Sequence, residues 1–379
     1  MERSRLATEP GAGTPRAREV GVPFEGTPGP LNAITDVAGV EVGFTSLISG
    51  NGSLAVGEGP VRTGVTAILP RGKASGDPAF AGWFSLNGKG EMTGTTWIEE
   101  SGFLEGPVMI TNTHSVGVVR DAVIAWQLKL GQSEGHRNWF SLPVVAETYD
   151  GYLNDINGFH VRPEHVFHAL DTAKSGPVEE GNVGGGTGMI CYEFKGGTGT
   201  ASRRLEARFG GGILGAFVQC NCGRHNQLQI AGVPVGIEIP GEKIFGMPMA
   251  PDEETGSIII VIATDVPLLP LQLKRLARRA SLGLARTGSV SGNGSGDIFI
   301  AFSTANPGAG ARTGLRGVRM LPNDQMDPIF SATVEATEEA IVNALVAART
   351  MTGINNRTVQ ALPHEPLREA LQRHNRLSR

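Results

Sequence analysis

Residues Glu253–Asp265 read "EETGSIIIVIATD": an acidic stretch, a Gly-Ser step, then an almost unbroken β-branched run. The run marks a buried strand. The bond before it has two readings. One is a loop entering a strand, which needs no chemistry. The other is a bond the protein cuts in itself, leaving Ser257 with both a hydroxyl and a free α-amine. Such an amine titrates near pH 8, so it takes the hydroxyl proton and one residue supplies nucleophile and base. Of the four Gly-Ser steps, at Gly52, Gly256, Gly288 and Gly294, only the one at Gly256 joins an acidic connector to a long β-branched strand. Glycine before the serine also tolerates the strained backbone that self-attack requires.

Around this stretch, the elements alternate between β-branched runs and helical periods. Upstream lies a polar connector, roughly residues 241–255, with Pro248, Pro251 and four acids. Downstream, Leu269, Leu273, Leu276, Ala280 and Leu284 fall at steps of four, three, four and four, one buried stripe of a helix around residues 268–286. Lys274, Arg275, Arg278 and Arg279 fill its other, solvated side. The strand "GDIFIAFST" and a long helix, "ATVEATEEAIVNALVAART", follow. Before the connector, "GVTAILP", "AGWFSL", "GPVMITNT" and "LPVVAETYDG" read as strands, and "SVGVVRDAVIAWQLKLG" and "RPEHVFHALDTAK" as helices. Strand and glycine return in "GNVGGGTGMICYEF", "ASRRLEARF", "GGILGAFVQCNCG" and "GVPVGIEI". Residues 1 to about 30 form an irregular arm. Strand followed by helix on both sides of the connector implies one α+β domain over residues 1–379.

Composition narrows the function. A net charge of −4 over 379 residues gives no footprint for nucleic acid. Fifty-four glycines indicate tight turns and close backbone approaches. Three cysteines, Cys191, Cys220 and Cys222, are too few for a disulfide framework and fit a reducing compartment. No secretory signal opens the chain and no apolar run spans a membrane, so the expected location is cytoplasmic. "GNVGGGTG" lacks the Lys-Ser/Thr of a phosphate loop, and His165 and His168 share a helix face without a third metal ligand.

Polar groups in apolar strands supply the remaining candidates. In "NGSGDIFIAF", Ser295 and Asp297 are two apart, on one face if the strand has begun, so a hydroxyl sits beside a carboxylate; a capped turn is the other reading. Glu147 and Tyr149 are likewise two apart in "VVAETYDG". In "VQCNCG", Cys220 and Cys222 share a face for core packing, while Asn221 points the other way and needs a partner. It serves either structural hydrogen bonding or an oxyanion.

Together these stretches resemble the L-aminopeptidase/D-Ala-esterase-amidase and β-aminopeptidase family, the DmpA type. The resemblance is carried by "GPLNAITDVAGVEVG", "TNTHSVG", "VVAETYDGYLNDINGFHV", "GNVGGGTGMICYEFKGG", "VQCNCG", residues 255–289, "NGSGDIFIAFSTAN" and "ATEEAIVNALVAA", in family order from Pro30 to Gly353. It implies a four-layer αββα sandwich like other N-terminal-nucleophile hydrolases and ornithine acetyltransferase. It further implies self-cleavage at Gly256–Ser257 into chains 1–256 and 257–379 that stay together. Ser257 matches the nucleophile, and Ser295 and Asp297 the groups around it and its amine. Tyr149 and Asn221 match the oxyanion donors, and Glu147 the acid that holds the substrate's amino group. The implied reaction releases N-terminal residues from short peptides, amides or esters through an acyl-serine, without metal or cofactor, in a tetramer of processed pairs. Phe44 stands where many relatives carry His. Two rival readings are acyl transfer to a second amine, disfavoured by serine in place of threonine, and an uncleaved, non-catalytic binding protein.

Overall fold

A computed structural model describes residues 14–132, 139–241, 244 and 256–378; most of the acidic connector lies outside them. In chain order the first half forms β1 (Glu41–Ser49), β2 (Val61–Leu69), β3 (Ala79–Gly88), α1 (Thr95–Ser101), β4 (Phe103–Leu104), β5 (Val108–Asn112), α2 (Val116–Lys129), β6 (Val144–Thr148) and α3 (Pro163–Asp171). The second half forms β7 (Ile190–Cys191), β8 (Phe194–Lys195), β9 (Gly197–Arg204), β10 (Ile213–Asn221), α4 (Val235–Glu238), β11 (Ser257–Thr264), α5 (Pro270–Arg286), β12 (Gly296–Ser303), α6 (Asp327–Ala347), β13 (Met351–Thr352), β14 (Thr358–Val359) and α7 (His364–Arg373).

Two main sheets result, one ordered β1-β2-β5-β6 and one β4-β3-β12-β11-β10-β9. The β-branched run is β11, inside the six-stranded sheet, antiparallel to β10 and parallel to β12. All eight of its residues are buried, which is why its sequence runs apolar without alternation. Its two faces nevertheless go to different cores. Ile258, Ile260 and Ile262 pack with Leu273 and Leu276 of α5 and Ala336 and Ala340 of α6. Ile259, Val261 and Ala263 meet Ile68, Val108, Ile110 and Val144 of the four-stranded sheet. The outer face of that sheet, with Val65, Ala67 and Val145, is covered by Val119, Val123 and Trp126 of α2 and Val166 and Leu170 of α3. Helices, sheet, sheet and helices make the four layers of an αββα sandwich. Each isoleucine of β11 stabilises it by roughly 1.5–3 kcal/mol through burial alone.

Three local expectations change. "GVPVGIEI" is not a strand: Pro234 lacks an N–H for a ladder and leads into the short helix α4. "GNVGGGTGMICYEF" is mostly turn, a 3-10 turn at Gly184–Gly186 followed by the two-residue strands β7 and β8. Tyr192 and Glu193, both with positive φ, make the tight hairpin between them. The basic side of α5 is more than a solvated face. Arg279 and Arg275 lie over the Phe330 ring, Arg278 lies over Phe84, and Lys274 pairs with Glu99. Phe44, the departure noted in β1, stacks on Phe217 of β10 between the sheets.

Candidate active site

Ser257 is the first residue of β11 and is buried. Its Oγ accepts a hydrogen bond from the Gly296 N–H at 3.0 Å, which fixes the rotamer of the hydroxyl. In the unbroken chain its nitrogen is a peptide N–H and stands in for the α-amine that cleavage would free. Gly256 packs so tightly on β10 that a Cβ would overlap the Asn221 carbonyl and approach the Cys222 Cα at 2.7 Å. Close backbone approach, rather than strain, is therefore the visible reason for glycine before the serine.

Asn221 ends β10 directly opposite Ser257 in the ladder, so the two side chains share a face. The Ile190 N–H of β7 donates to Asn221 Oδ1 at 2.9 Å. That bond orients the amide and leaves Nδ2 as the donor. Cys220 and Cys222 go to the opposite, helix-side core with Cys191, the Cys191 and Cys222 sulfurs 3.9 Å apart.

Ser295 and Asp297 do meet, although strand alternation is not the cause. β12 begins at Gly296, so Ser295 belongs to the preceding turn and donates from Oγ to Asp297 Oδ1 at 2.6 Å. The same Asp297 oxygen accepts the Ile258 N–H at 3.2 Å, one residue from the nucleophile. The buried carboxylate thus holds the start of β11 through its backbone.

Glu147 lies buried near the end of β6. Thr113 Oγ1 donates to its Oε2, and the Glu91 N–H donates to Oε1 at 3.0 Å. Burial pushes its carboxyl above the ordinary range, opposed by those two hydrogen bonds. One glycine connects it to the nucleophile: a Cβ on Gly90 would lie 3.4 Å from Glu147 Oε1 and 3.0 Å from the Gly296 Cα. Residues 87–92 thus run as a strap between the two halves. Asn87 Nδ2 donates to the Ser291 and Gly292 carbonyls, Lys89 N–H to that of Ser295, and Glu91 N–H to Glu147.

Tyr149 lies one residue beyond the end of β6, so alternation does not place it beside Glu147. It is 49% exposed, with its ring folded over Gly151. Burial of part of the ring and the neighbouring Asp150 raise its hydroxyl pKa, and Arg357 lowers it.

Thr113, Gly90, Gly296 and Ile190 escape sequence reasoning as site groups. Three act through backbone, which leaves no residue-type signal; Thr113 was visible only as a hydroxyl closing the run "MITNT". The histidines have other work: His168 Nδ1 lies 3.1 Å from Thr45 Oγ1, and His165 Nδ1 accepts the Arg162 N–H. Among the described residues no cluster of three or more His, Cys, Asp or Glu could hold a metal ion, and no helix is long and apolar enough to cross a membrane.

Against known proteins, the model described as peptidase family S58 matches residues 32–359. The chain is 57% identical to the beta-peptidyl aminopeptidase BapA of Sphingosinicella microcystinivorans, over 98% of this chain and 96% of that one. Among solved structures it is similar to the L-aminopeptidase D-Ala-esterase/amidase of Ochrobactrum anthropi, with 49% identity, a TM-score of 0.90, and 96% and 100% of the two chains covered. That protein is described as a prototype for the serine aminopeptidases and a variant of the Ntn hydrolase fold. The Burkholderia sp. beta-aminopeptidase superposes with a TM-score of 0.84 at 48% identity, over 94% of this chain and 98% of that one. With these matches spanning nearly its whole length, the chain belongs to peptidase family S58 and is a serine aminopeptidase of the Ntn-hydrolase fold.

Proposed function

We propose that the chain cleaves itself at Gly256–Ser257 and then releases N-terminal residues from short peptides, amides or esters through an acyl-Ser257. The observation that carries the reading is the seating of Ser257. It opens a buried central strand with its hydroxyl on the Gly296 N–H, while Glu147 lies just across Gly90. Self-cleavage starts with attack of Ser257 Oγ on the Gly256 carbonyl carbon. The C–N bond breaks, the former peptide nitrogen gains a proton, and water hydrolyses the resulting ester. In turnover the freed α-amine takes the hydroxyl proton as Oγ attacks the substrate carbonyl; the bond to the leaving amine or alcohol then breaks as that group takes the proton back, and water hydrolyses the acyl-serine. Asn221 Nδ2 and the Tyr149 hydroxyl donate to the oxyanion, Asp297 with Ser295 steadies the start of β11, and Glu147 binds the substrate ammonium. Placing the ammonium at Glu147 limits cleavage to the first residue of a substrate.

The names of the relatives favour substrates with an N-terminal β-amino acid, with D-alanyl amides and esters as the nearest competitors. A tetramer of processed pairs and a cytoplasmic location complete the proposal, the latter supported by three buried free thiols. A denaturing gel and N-terminal sequencing test the central claim. The expected result is two bands, the smaller starting Ser-Ile-Ile-Ile-Val, with Ser257→Ala uncut and inactive. A single full-length band from active enzyme overturns it. Size-exclusion chromatography with light scattering reads the assembly.

A further inference from the structure

Asp150 is a buried acid that the proposed reaction leaves without a task. It follows Tyr149 just beyond β6, and its carboxylate faces the side-chain amides of Asn112 and Asn154 and the Thr63 hydroxyl rather than a cation. Asn112 Nδ2 reaches its two oxygens at 3.2 and 3.1 Å, and Asn154 Nδ2 reaches Oδ1 at 3.0 Å. The Arg62 guanidinium is spent on the carbonyls of Ser49, Gly50, Val61 and Thr352 and on Asn51 Oδ1. A carboxylate buried without a cation is an expensive way to fill space, because an amide or apolar group there would avoid the desolvation cost.

What the carboxylate holds is informative. Asn112 is the last residue of β5, and its amide also reaches Thr63 Oγ1 of β2 at 3.1 Å. The next residue is Thr113, whose hydroxyl donates to Glu147 Oε2. β5 and β6 run parallel with Thr111 beside Glu147 and Asn112 beside Thr148. Two side-chain links therefore tie the strand ends together, Asp150 to Asn112 and Thr113 to Glu147, in a closed ring whose other sides are backbone. Tyr149 sits in that ring between its two acids.

We propose that Asp150 is a positioning residue for the aminopeptidase reaction: by fixing Asn112 it sets the end of β5 so that Thr113 keeps the Glu147 carboxylate aimed at the substrate ammonium. The inference rests on the reading of Glu147 as the ammonium anchor. It assigns a role to the C-terminal ends of two strands that sequence alone shows only as "TNTH" and "ETYDG".

The test uses full-length enzyme and the p-nitroanilide of an N-terminal β-amino acid. Asp150→Asn keeps the size but turns an NH2 group toward the donors of Asn112 and Asn154. It should raise KM about tenfold, the scale of one charge-assisted hydrogen bond, with a smaller change in kcat. The exchange Asn112→Asp with Asp150→Asn re-forms the pair with donor and acceptor reversed and should return KM to within about threefold of the parent. In a Glu147→Ala background, Asp150→Asn should add less than about twofold, since its route to the substrate is gone. Equal effects of Asp150→Asn with and without Glu147, or a folded exchange variant with KM still raised, overturn the proposal. Should Asp150→Asn fail to fold, the exchange variant decides alone: recovery supports the role, and failure to fold makes Asp150 structural only. Glu147→Ala with unchanged KM would instead remove the ammonium-anchor reading, a separate result from any of these.

Discussion

As the proposed ammonium anchor, Glu147 would set how this enzyme responds to acid. Its carboxyl is raised above the ordinary range by burial, so it protonates earlier than an exposed glutamate. A protonated Glu147 cannot balance an ammonium, and kcat/KM should fall as pH drops through that raised value. Glu147→Gln should lower kcat/KM about 10- to 100-fold for amine-bearing substrates, the scale of a charge-assisted hydrogen bond, and remove this acid limb while leaving self-cleavage intact. A pH profile of both enzymes, with gel analysis of processing, checks it. At this scale the candidate residues were legible because they are polar groups set in apolar strands. Asn221 and Glu147 stand out in that way, and Ser257 as the Gly-Ser step that opens a β-branched run; Gly296 and Ile190 do not, since they contribute N–H groups that any residue carries. The reasoning for Ser295–Asp297 reached a true contact by the wrong route, because the hydroxyl approaches from a turn rather than along the strand.

Among the elements, the β7–β8 hairpin decides whether Asn221 keeps its orientation, and a buried lysine anchors it. Lys195 Nζ donates to the Met189 and Gly196 carbonyls at 2.8 and 2.9 Å, at the two ends of the hairpin, and its own N–H binds the Gln360 carbonyl. Lys195→Met would remove the ammonium's hydrogen bonds to both carbonyls; that of Met189 keeps the Gly196 N–H, and the loss at Gly196 costs about 1–3 kcal/mol. The variant should melt at lower temperature. It should also lose kcat more than KM, because the loosened Ile190 N–H no longer holds Asn221; thermal unfolding and steady-state kinetics on one sample separate the effects. The sequence hid this element. Glycine-rich "GNVGGGTGMICYEF" carries the β-branched and aromatic residues of a strand, yet its glycines are needed where backbones nearly touch. A Cβ on Gly188 would overlap the Arg62 carbonyl, and one on Gly186 would approach the Thr198 nitrogen at 2.5 Å. Long buried elements such as β11 and α5 were legible because their periodicity is set by one or two flat cores. Short elements such as α4 and β7 are shaped by what packs on them, which local sequence does not record.

For the whole molecule, the proposed cut leaves no natural line of separation. β11 and β12 lie between β10 and β3, so residues 257–379 supply the middle of a sheet whose other strands come from residues 1–256. A buried ion cluster crosses the same boundary. Glu339 of α6 accepts from Arg18 at 2.7 and 2.8 Å and pairs with Arg203 at 2.7 Å, and Asn32 donates to it as well. The processed chains should therefore co-elute under native conditions and unfold in one transition. Although burial works the other way, Arg18 and Arg203 hold the Glu339 carboxyl below its ordinary value. A depressed carboxylate contributes stability above its unfolded pKa of about 4.5, and that contribution is lost as pH falls through the folded value. Glu339→Gln keeps the shape but takes the counter-charge from Arg18 and leaves Arg203 with only Glu335, at a cost of up to about 3 kcal/mol near neutral pH. Its deficit against the parent should shrink as acid protonates Glu339 in the parent. Denaturant unfolding of both processed enzymes at pH 7 and below 4.5 measures the difference, and a deficit that does not change with pH would mean that the charge of Glu339 is not what stabilises the assembly.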